Sequence, residues 1–281
     1  MRSQALRMVR DFFYDRGVIE ADVPALSPYG SIDPYIDLIE TKDGGHLHSS
    51  PEYALKRLIC EDSGDIYYLG HTFRKEEKSP LHNSEFTMIE WYRLNTDEKT
   101  FLQEVVDLIS LFLGDLPVEM VDYEEAYRRY ARPIGLEVDT SRWTKDDCFF
   151  YQWAKFVEPN LGKGHLTILT NFPKEHAVLA RTRLVNGEEK AGRYEIYYEG
   201  IELGNGFDEL SDPDEHLRRF IESNELRKAQ GKTIYPIDEL FLAALKNGGI
   251  PSRTFGIAVG FDRLLMLGNK KEHIYDVLSI V

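Results

Sequence analysis

Residues 73–92 read Phe-Arg-Lys-Glu-Glu-Lys-Ser-Pro-Leu-His-Asn-Ser-Glu-Phe-Thr-Met-Ile-Glu-Trp-Tyr and constrain the fold more than any other part of the chain. One strand-like run ends here, a charged loop follows, and a second run of alternating polarity begins. The pattern predicts two antiparallel strands that place Arg74, His82 and Phe86 around one cleft. An arginine offers a planar fork to a phosphate oxygen. The alternative is an amphipathic hairpin with solvated charges, which the length of the pattern disfavours.

The stretch resembles the second motif of class II aminoacyl-tRNA synthetases, in the form found in lysyl-tRNA synthetases and their short paralogues. In that family Arg74 would stabilise charge at the ATP α-phosphate, Glu76 and His82 would hold ATP in a bent pose, and Phe86 would stack on adenine. The implied ATP-binding set here is Arg74, Lys75, Glu76, His82, Asn83 and Phe86. The motif departs from the common pattern at three positions, where Lys75, Leu81 and Ser84 replace the usual asparagine, arginine and proline. These differences would affect the dynamics of the loop and the affinity for ATP, but not the class of reaction.

A second segment, Gly256-Ile-Ala-Val-Gly-Phe-Asp-Arg-Leu-Leu-Met-Leu, predicts a strand, a glycine turn and an apolar helix. We expect Gly260 to allow a backbone conformation or a close approach that a side chain would obstruct. Arg263, in the first helical turn, can reach an anion near the helix N-terminus. The segment resembles the third class II motif, whose arginine contacts the ATP γ-phosphate. A buried strand, turn and helix with Arg263 paired to a surface acid is the alternative.

The N-terminal residues Leu6, Val9, Phe12 and Phe13 form a helical stripe that Gly17 ends, and a strand-like run to Pro24 follows. The arrangement resembles the first class II motif, a helix and strand that build the dimer interface. By this resemblance the chain is a homodimer whose interface includes the hydrophobic face of residues 6–13.

A fourth block, residues 193–210, places Glu195, Glu202 and Glu209 at seven-residue spacing. This spacing reverses the side-chain direction along a strand, so a bend or hairpin is needed, and Gly200 offers the turn. Clustered carboxylates repel one another unless a cation neutralises them, and Mg²⁺ on nucleotide phosphates suits oxygen ligands. Charged strands facing solvent are the alternative.

By resemblance to the lysyl-type enzymes, the acids of this block divide between two tasks. Glu195 and Glu202 are implied to bind the metal, and Glu202 with its neighbour Leu203 to contact ATP. Asn205, Phe207 and Glu209 are implied to line the amino-acid pocket.

The segment Ser49-Ser-Pro-Glu-Tyr predicts the start of a helix. In the lysyl-type family the matching segment supplies the substrate site, which implies Ser50, Pro51 and Glu52, joined by Glu90 and Tyr92 of the hairpin. Glu52, Glu90 and Glu209 together give an excess of negative charge. Such a pocket suits a substrate with two amino groups, because a buried ammonium needs paired charge.

Composition bounds the class of protein. With 281 residues, of which 42% are hydrophobic, the chain can form one catalytic domain over 1–281. We expect no membrane segment and no signal peptide, and two cysteines without metal-ligand spacing favour the cytoplasm. The net charge of −14 and pI of about 5.1 argue against general affinity for nucleic acid.

The order of predicted elements indicates an α+β fold, a class II synthetase catalytic core with an antiparallel β-sheet flanked by helices. Helices are predicted at 2–16, 51–61, 99–114, 123–132, 144–156, 213–230, 236–246 and 261–268, and strands at 18–23, 35–41, 45–49, 66–74, 84–93, 165–171, 192–199, 201–208 and 254–259. Residues 116–162 are interpreted as a helical insertion, with their aromatic side chains in a helical core.

A complete lysyl-tRNA synthetase carries an N-terminal anticodon-binding barrel, and because the first motif lies within the first residues here, we expect no such domain. The chain resembles most the short paralogue family that modifies elongation factor P, the elongation factor P–(R)-β-lysine ligases. Ala258 stands where tRNA-charging relatives usually have glycine and is expected to line the pocket floor. The resemblance implies ATP-dependent activation of (R)-β-lysine or lysine as an aminoacyl-adenylate and transfer to a lysine of elongation factor P, with tRNA not expected as acceptor.

Three other functions share parts of this pattern. A free-standing tRNA-lysylating enzyme would have the same chemistry. A non-catalytic regulatory paralogue should have lost ATP or metal residues, yet Arg74, Glu76, Glu202 and Arg263 are all present. An amide ligase acting on a small amine is the third. The pattern leaves β-lysine and α-lysine open as substrates.

Overall fold

The hairpin predicted around residues 73–92 is confirmed. In the computed structural model, which describes residues 1–76, 78–135 and 138–280 apart from the side chain of Asp146, β5 (Ile66–Phe73) and β6 (Glu85–Arg93) pair antiparallel. Tyr68 lies opposite Glu90 in this pair. The connecting residues contain Glu76 in the left-handed region, with a φ of 61°.

Two compact units make up the chain. The first unit contains residues Met1–Gly114, Val178–Arg181 and Phe207–Val281, of which Val281 lies outside the described residues. The second unit contains Asp115–Ala177 and Thr182–Gly206. The second unit is therefore formed by two segments that are inserted between the three segments of the first unit.

The first unit is built on a sheet in which β5 and β6 are the inner pair. The strand order is β1 (Ile19–Glu20), β5, β6 and β14 (Phe255–Gly260). β14 runs antiparallel to β6 with Gly256 opposite Tyr92 and Ala258 opposite Glu90. β1 runs parallel to β5, so the predicted antiparallel sheet is correct for the inner strands and wrong at this edge. A small sheet of β2 (Leu26–Ser27), β4 (His46–Leu47) and β3 (Ile39–Glu40) accompanies it.

The described residues of the first unit form the helices α1 (Arg2–Tyr14), α2 (Glu52–Cys60), α3 (Glu98–Leu113), α6 (Pro213–Ala229), α7 (Glu239–Asn247) and α8 (Phe261–Gly268). Helices α2, α6 and α7 contribute to a core of apolar side chains that includes Leu55, Tyr68, Phe220 and Phe241. Short polar caps fix where several of the helices begin. The Asp97 carboxylate accepts from the Thr100 amide at the start of α3, as is typical of an N-cap.

The second unit contains a sheet in the order β13 (Ile201–Asp208), β12 (Arg193–Tyr198), β8 (Leu166–Thr170) and β7 (Val118–Asp122), and β13 continues into the first unit. The other elements of this unit are α4 (Tyr123–Tyr130), α5 (Lys145–Gln152), a π-helical turn (Trp153–Val157), β9 (Phe172–Pro173), β10 (Thr182–Val185) and β11 (Glu188–Ala191). The range 116–162 is therefore not helical throughout, because β7 opens it and pairs in parallel with β8.

Some aromatic side chains of 116–162 are part of the second unit's core, which also includes strand residues, so the predicted helical core is correct only in part. Trp153 stacks on Tyr123 with ring centroids 4.3 Å apart, and Phe149 packs against the same cluster. Phe150 differs, because 47% of its surface is exposed.

The hydrophobic face of α1 is buried within its own chain. Val9 and Phe13 are fully buried and Phe12 nearly so, and the Phe13 ring stacks on Tyr67 at 4.3 Å. The prediction that the face of residues 6–13 forms a dimer interface is therefore wrong for these three side chains. The Phe13 ring contacts Tyr67 and Trp91 of the first unit's sheet, partners that sequence spacing could not identify.

No helix among the described residues is both long enough and apolar enough to cross a membrane.

Candidate active site

Arg74 and Phe86 lie together in the first unit, as the hairpin predicted. The Arg74 guanidinium carbon is 5.1 Å from the centroid of the Phe86 ring, a cation–π distance. The Arg74 amide donates to the Ser84 carbonyl at 2.9 Å, and the neighbouring Lys75 amide donates to the Asp37 carbonyl. These two hydrogen bonds hold the backbone of the predicted ATP loop at Arg74 and Lys75. The Glu76 side chain is exposed.

His82 connects the predicted second motif to the third. An Arg263 Nη donates to Nε2 of His82 at 2.6 Å, and because a guanidinium can only donate, this ring nitrogen must be the acceptor. The other ring nitrogen, Nδ1, then carries the proton and donates to the Ser79 hydroxyl at 2.7 Å. Asn83 does not share this contact, because its amide donates to the Glu85 carbonyl.

The strand, turn and helix predicted for residues 256–267 are confirmed as β14 and α8. The expectation of a special conformation at Gly260 is wrong, since its φ of −72° and ψ of 101° suit any residue. A Cβ there would meet only side-chain carbons of Arg263, at 3.6 Å and beyond. The protein itself therefore leaves space at Gly260 beside Arg263.

Asp262, next to Arg263, is a buried anchor that sequence reasoning missed. Its carboxylate accepts from the Thr87 amide at 2.7 Å and forms an ion pair with Arg2. The buried side chain thus joins the start of α1, the strand β6 and the first turn of α8. The only signal in the sequence was its place in the third motif.

A second cluster in the first unit contains the predicted amino-acid pocket. The Ser50 hydroxyl donates to one oxygen of Glu90 at 2.7 Å, and the Tyr92 hydroxyl donates to the other at 2.8 Å. The Ser50 hydroxyl also accepts from the Glu52 amide at the start of α2. Pro51, immediately before this helix, is buried. The predicted Ser-Pro-Glu segment and the hairpin therefore meet, as expected.

Lys56 is the residue of this cluster that sequence reasoning missed. Its side chain is fully buried, and its Nζ lies 2.6 Å from Glu52 Oε1 and 2.5 Å from Glu209 Oε2. The spacing of four residues between Glu52 and Lys56 on a predicted helix was an available signal. A lysine in an amphipathic helix is usually solvated, however, so burial was not predictable from the spacing.

Burial and charge shift the protonation of this cluster. Burial raises the pKa of Glu90 to about 7, and the nearby charge of Glu52 adds to the effect. Burial likewise raises the pKa of Glu209, against the opposing pull of Lys56. For Lys56, burial acts to lower the pKa, but the carboxylates of Glu209 and Glu52 outweigh it and the pKa is raised. Lys56 therefore stays charged, and the acids bind protons more readily than solvated carboxylates.

The wall of this pocket includes the backbone of β14. An ideal Cβ on Gly256 would lie 2.4 Å from Glu209 Oε1 and 2.4 Å from a ring carbon of Tyr92. Ala258, half-buried, lies opposite Glu90 in the sheet, and the Phe207 side chain is 8% exposed. Gly256 was not among the predicted site residues, although the absence of a side chain there is what lets Glu209 and Tyr92 approach the strand.

The second unit holds the predicted metal acids. The hairpin between Glu195 and Glu202 is confirmed, with Gly200 in its turn at a φ of +76°. Glu195 does not fit a metal ligand as it stands, because Arg193 binds one oxygen at 2.5 Å and the Tyr197 hydroxyl donates to the other at 2.7 Å. Glu202 is half-buried. Within the described ranges no group of three or more acidic, histidine or cysteine side chains is arranged to hold a metal ion.

Arg193 organises the same region of the second unit. Its Nε donates to the Asn205 side-chain oxygen at 3.0 Å, and its guanidinium carbon lies 4.7 Å from the centroid of the Phe172 ring. Asn205 is thus held in place by an arginine to which sequence reasoning gave no role. Leu203 is almost fully buried, so its side chain is a packing group, and a contact with ATP would have to come from its backbone.

Comparisons with known proteins show the family to which the chain belongs. Residues 1–280 match the family described as tRNA synthetases class II (D, K and N). A protein of Haemophilus ducreyi named elongation factor P–(R)-β-lysine ligase is 37% identical over 305 residues, covering 99% of this chain and 91% of its own. A Pectobacterium atrosepticum protein of the same name is 37% identical over 306 residues, covering 99% and 93%.

The fold and the relatives identify first the class of enzyme and then the family within that class. The fold and the arginine-bearing motifs are those of a class II synthetase core, which makes the chain an ATP-dependent ligase. The chain belongs to the class II tRNA synthetases (D, K and N) and, within them, to the family of the elongation factor P–(R)-β-lysine ligases.

Proposed function

We propose that the chain activates (R)-β-lysine, or lysine, with ATP as an aminoacyl-adenylate and transfers the acyl group to a lysine side chain of elongation factor P. The observation that carries this proposal is the relatives' shared name at up to 37% identity over 99% of the chain. The acid-rich pocket around Lys56 supports the same substrate class.

In the first half-reaction the substrate carboxylate attacks the ATP α-phosphate and pyrophosphate leaves. Arg74, stacked on Phe86, is proposed to stabilise the charge that develops at the α-phosphate. Arg263, at the start of α8, is proposed to bind the γ-phosphate, with His82 orienting its guanidinium. No protein nucleophile is needed, because positioning and electrostatic stabilisation lower the barrier.

The amino-acid pocket is proposed to select a substrate with two amino groups. Glu52, Glu90 and Glu209 carry up to three negative charges, and Lys56 supplies one positive charge. Two ammonium groups on the ligand would balance the negative charge that Lys56 does not balance. Such a ligand is favoured because a buried charge without a partner is unfavourable. Ser50, Tyr92, Phe207 and Ala258 are proposed to complete the pocket.

In the second half-reaction the ε-amine of the acceptor lysine attacks the adenylate carbonyl, and AMP leaves. The amine must lose a proton before or during the attack. Mg²⁺ is proposed to accompany ATP, with Glu202 as the candidate ligand by resemblance to the family. A cytoplasmic location remains an expectation from the sequence.

The proposal is tested by pyrophosphate exchange with (R)-β-lysine and with α-lysine, followed by acceptor assays. We expect exchange with both isomers and a preference for (R)-β-lysine. Elongation factor P should then gain the mass of one lysyl group, while tRNA stays uncharged. Efficient charging of tRNA without any mass gain on elongation factor P would show that the acceptor is wrong and leave the adenylate chemistry intact.

A homodimer is also proposed, through a surface other than the buried face of α1. Tyr14 is 81% exposed, Ile19 on the edge strand β1 is 59% exposed and Leu26 is 52% exposed. Apolar side chains of this size at a sheet edge suit a two-fold contact. Sedimentation at micromolar concentration should show a dimer, and the double substitution Ile19→Glu and Leu26→Glu should dissociate it. A monomeric wild-type chain would contradict the proposal.

A further inference from the structure

The buried lysine in the amino-acid pocket is placed to act on two of the pocket acids at once. Lys56 is 0% exposed, and its Nζ contacts one oxygen of Glu52 and one oxygen of Glu209. Its ammonium also lies 5.9 Å from the centroid of the Tyr92 ring. A side chain held on three sides in this way has little freedom, so it fixes the carboxylates that it contacts.

The contacts leave part of the cluster without a partner in the protein. Glu209 is 1% exposed, and its Oε1 has no hydrogen-bond partner among the described residues. Both oxygens of Glu90 are already engaged by Ser50 and Tyr92. A buried carboxylate oxygen without a donor is unfavourable, and a ligand ammonium at this position would supply one.

The charge of the cluster points to the same ligand. One ammonium here accompanies three acids, Glu52, Glu90 and Glu209. Burial raises the pKa of Glu90 and of Glu209, so these acids bind protons readily when no cation is beside them, and a ligand ammonium would favour their ionised forms.

We infer that Lys56 is a positioning residue of the amino-acid pocket, which holds Glu52 and Glu209 in place and sets the pocket charge to match a substrate with two ammonium groups. The inference rests on the proposed function, because it assumes that this pocket binds the amino acid. It concerns binding of the amino acid, so it assigns Lys56 no role toward ATP.

The test is Lys56→Met, which keeps an unbranched side chain only one atom shorter and removes the charge. Pyrophosphate exchange with (R)-β-lysine should show a KM raised about ten-fold to a hundred-fold, the range for losing contacts to charged groups. The KM for ATP should stay close to that of the wild type. Lys246→Met is the matched control, because the Lys246 side chain is 57% exposed and 3.7 Å from its partner Asp214.

Lys56→Met leaves three uncompensated acids and can fail to fold, so Glu52→Gln and the double variant complete a cycle. If Lys56 balances Glu52, the double variant should bind the amino acid better than the product of the two single effects predicts. Additive effects, or an unchanged KM for the amino acid in Lys56→Met, would overturn the inference.

Three outcomes separate the possible explanations. Unfolding of both Lys56→Met and the double variant would show that Lys56 acts on stability and would overturn its positioning role. Absence of exchange by the wild-type protein with either lysine isomer would overturn the proposed function and, with it, the inference. Wild-type exchange without any effect of Lys56→Met would overturn the inference alone.

Discussion

Replacing Arg263 with alanine should lower the rate of adenylate formation by about two orders of magnitude or more. Arg263 stands in the first turn of α8 with its guanidinium held by His82. Loss of a charge-assisted contact to a developing anion in a partly buried site typically costs about 2–4 kcal/mol. ATP–pyrophosphate exchange at saturating amino acid measures the effect.

The control for this variant is Arg7→Ala, because the Arg7 side chain is 82% exposed on α1 and makes only a weak contact with Asp11 at 3.6 Å. This control should exchange at the wild-type rate. Near-normal exchange by Arg263→Ala would mean that residues 256–267 do not form the nucleotide-binding motif. Arg263→Lys should restore the rate only in part, since a lysine cannot reproduce the planar fork.

Gly256→Ala should abolish most activation of the amino acid while leaving ATP binding intact. The added Cβ would lie 2.4 Å from Glu209 Oε1 and 2.4 Å from the Tyr92 ring, so both side chains must move. Overpacking of this kind costs about 1–3 kcal/mol, and displacement of a binding group by about 1 Å can lower the rate about a hundred-fold. The measurement is exchange as a function of amino-acid and ATP concentration.

Gly260→Ala is the matched control for stability, because it lies on the same strand and its Cβ would make only ordinary contacts. Its melting temperature should equal that of the wild type, whereas Gly256→Ala should melt lower. An unchanged KM for the amino acid in a folded Gly256→Ala protein would contradict the placement of the pocket at Glu209 and Tyr92.

Local patterns in the sequence predicted the elements that carry the site. The charged loop between two alternating runs gave β5 and β6, and the glycine before an apolar run gave β14 and α8. The spacing of Glu195 and Glu202 required a turn, and Gly200 forms it. Each of these signals lies within about twenty residues, where periodicity and turn chemistry are informative.

Other features depend on partners that are distant in sequence. From its sequence neighbours Lys56 is expected to be a solvated surface lysine. Its ion-pair partner Glu209 lies more than 150 positions later in the chain, so the burial of Lys56 follows only from the folded structure. Glu195 is a different case, because its partners Arg193 and Tyr197 are near in sequence and their side chains share its face only once the strand β12 has formed. The short strand β7 was missed because its residues alternate weakly, and pairing with β8 decides its structure.

The position of β14 beside β6 has a consequence for the order of folding. During synthesis β6 is complete at Arg93, but its antiparallel neighbour does not begin until Phe255. Until then one side of the β5–β6 hairpin presents unpaired backbone groups, which favour aggregation. Closing so long a loop also slows folding. Arg263, which we propose to bind the γ-phosphate of ATP, follows β14 in the chain, so a nascent chain could not form the proposed ATP site until this strand has docked.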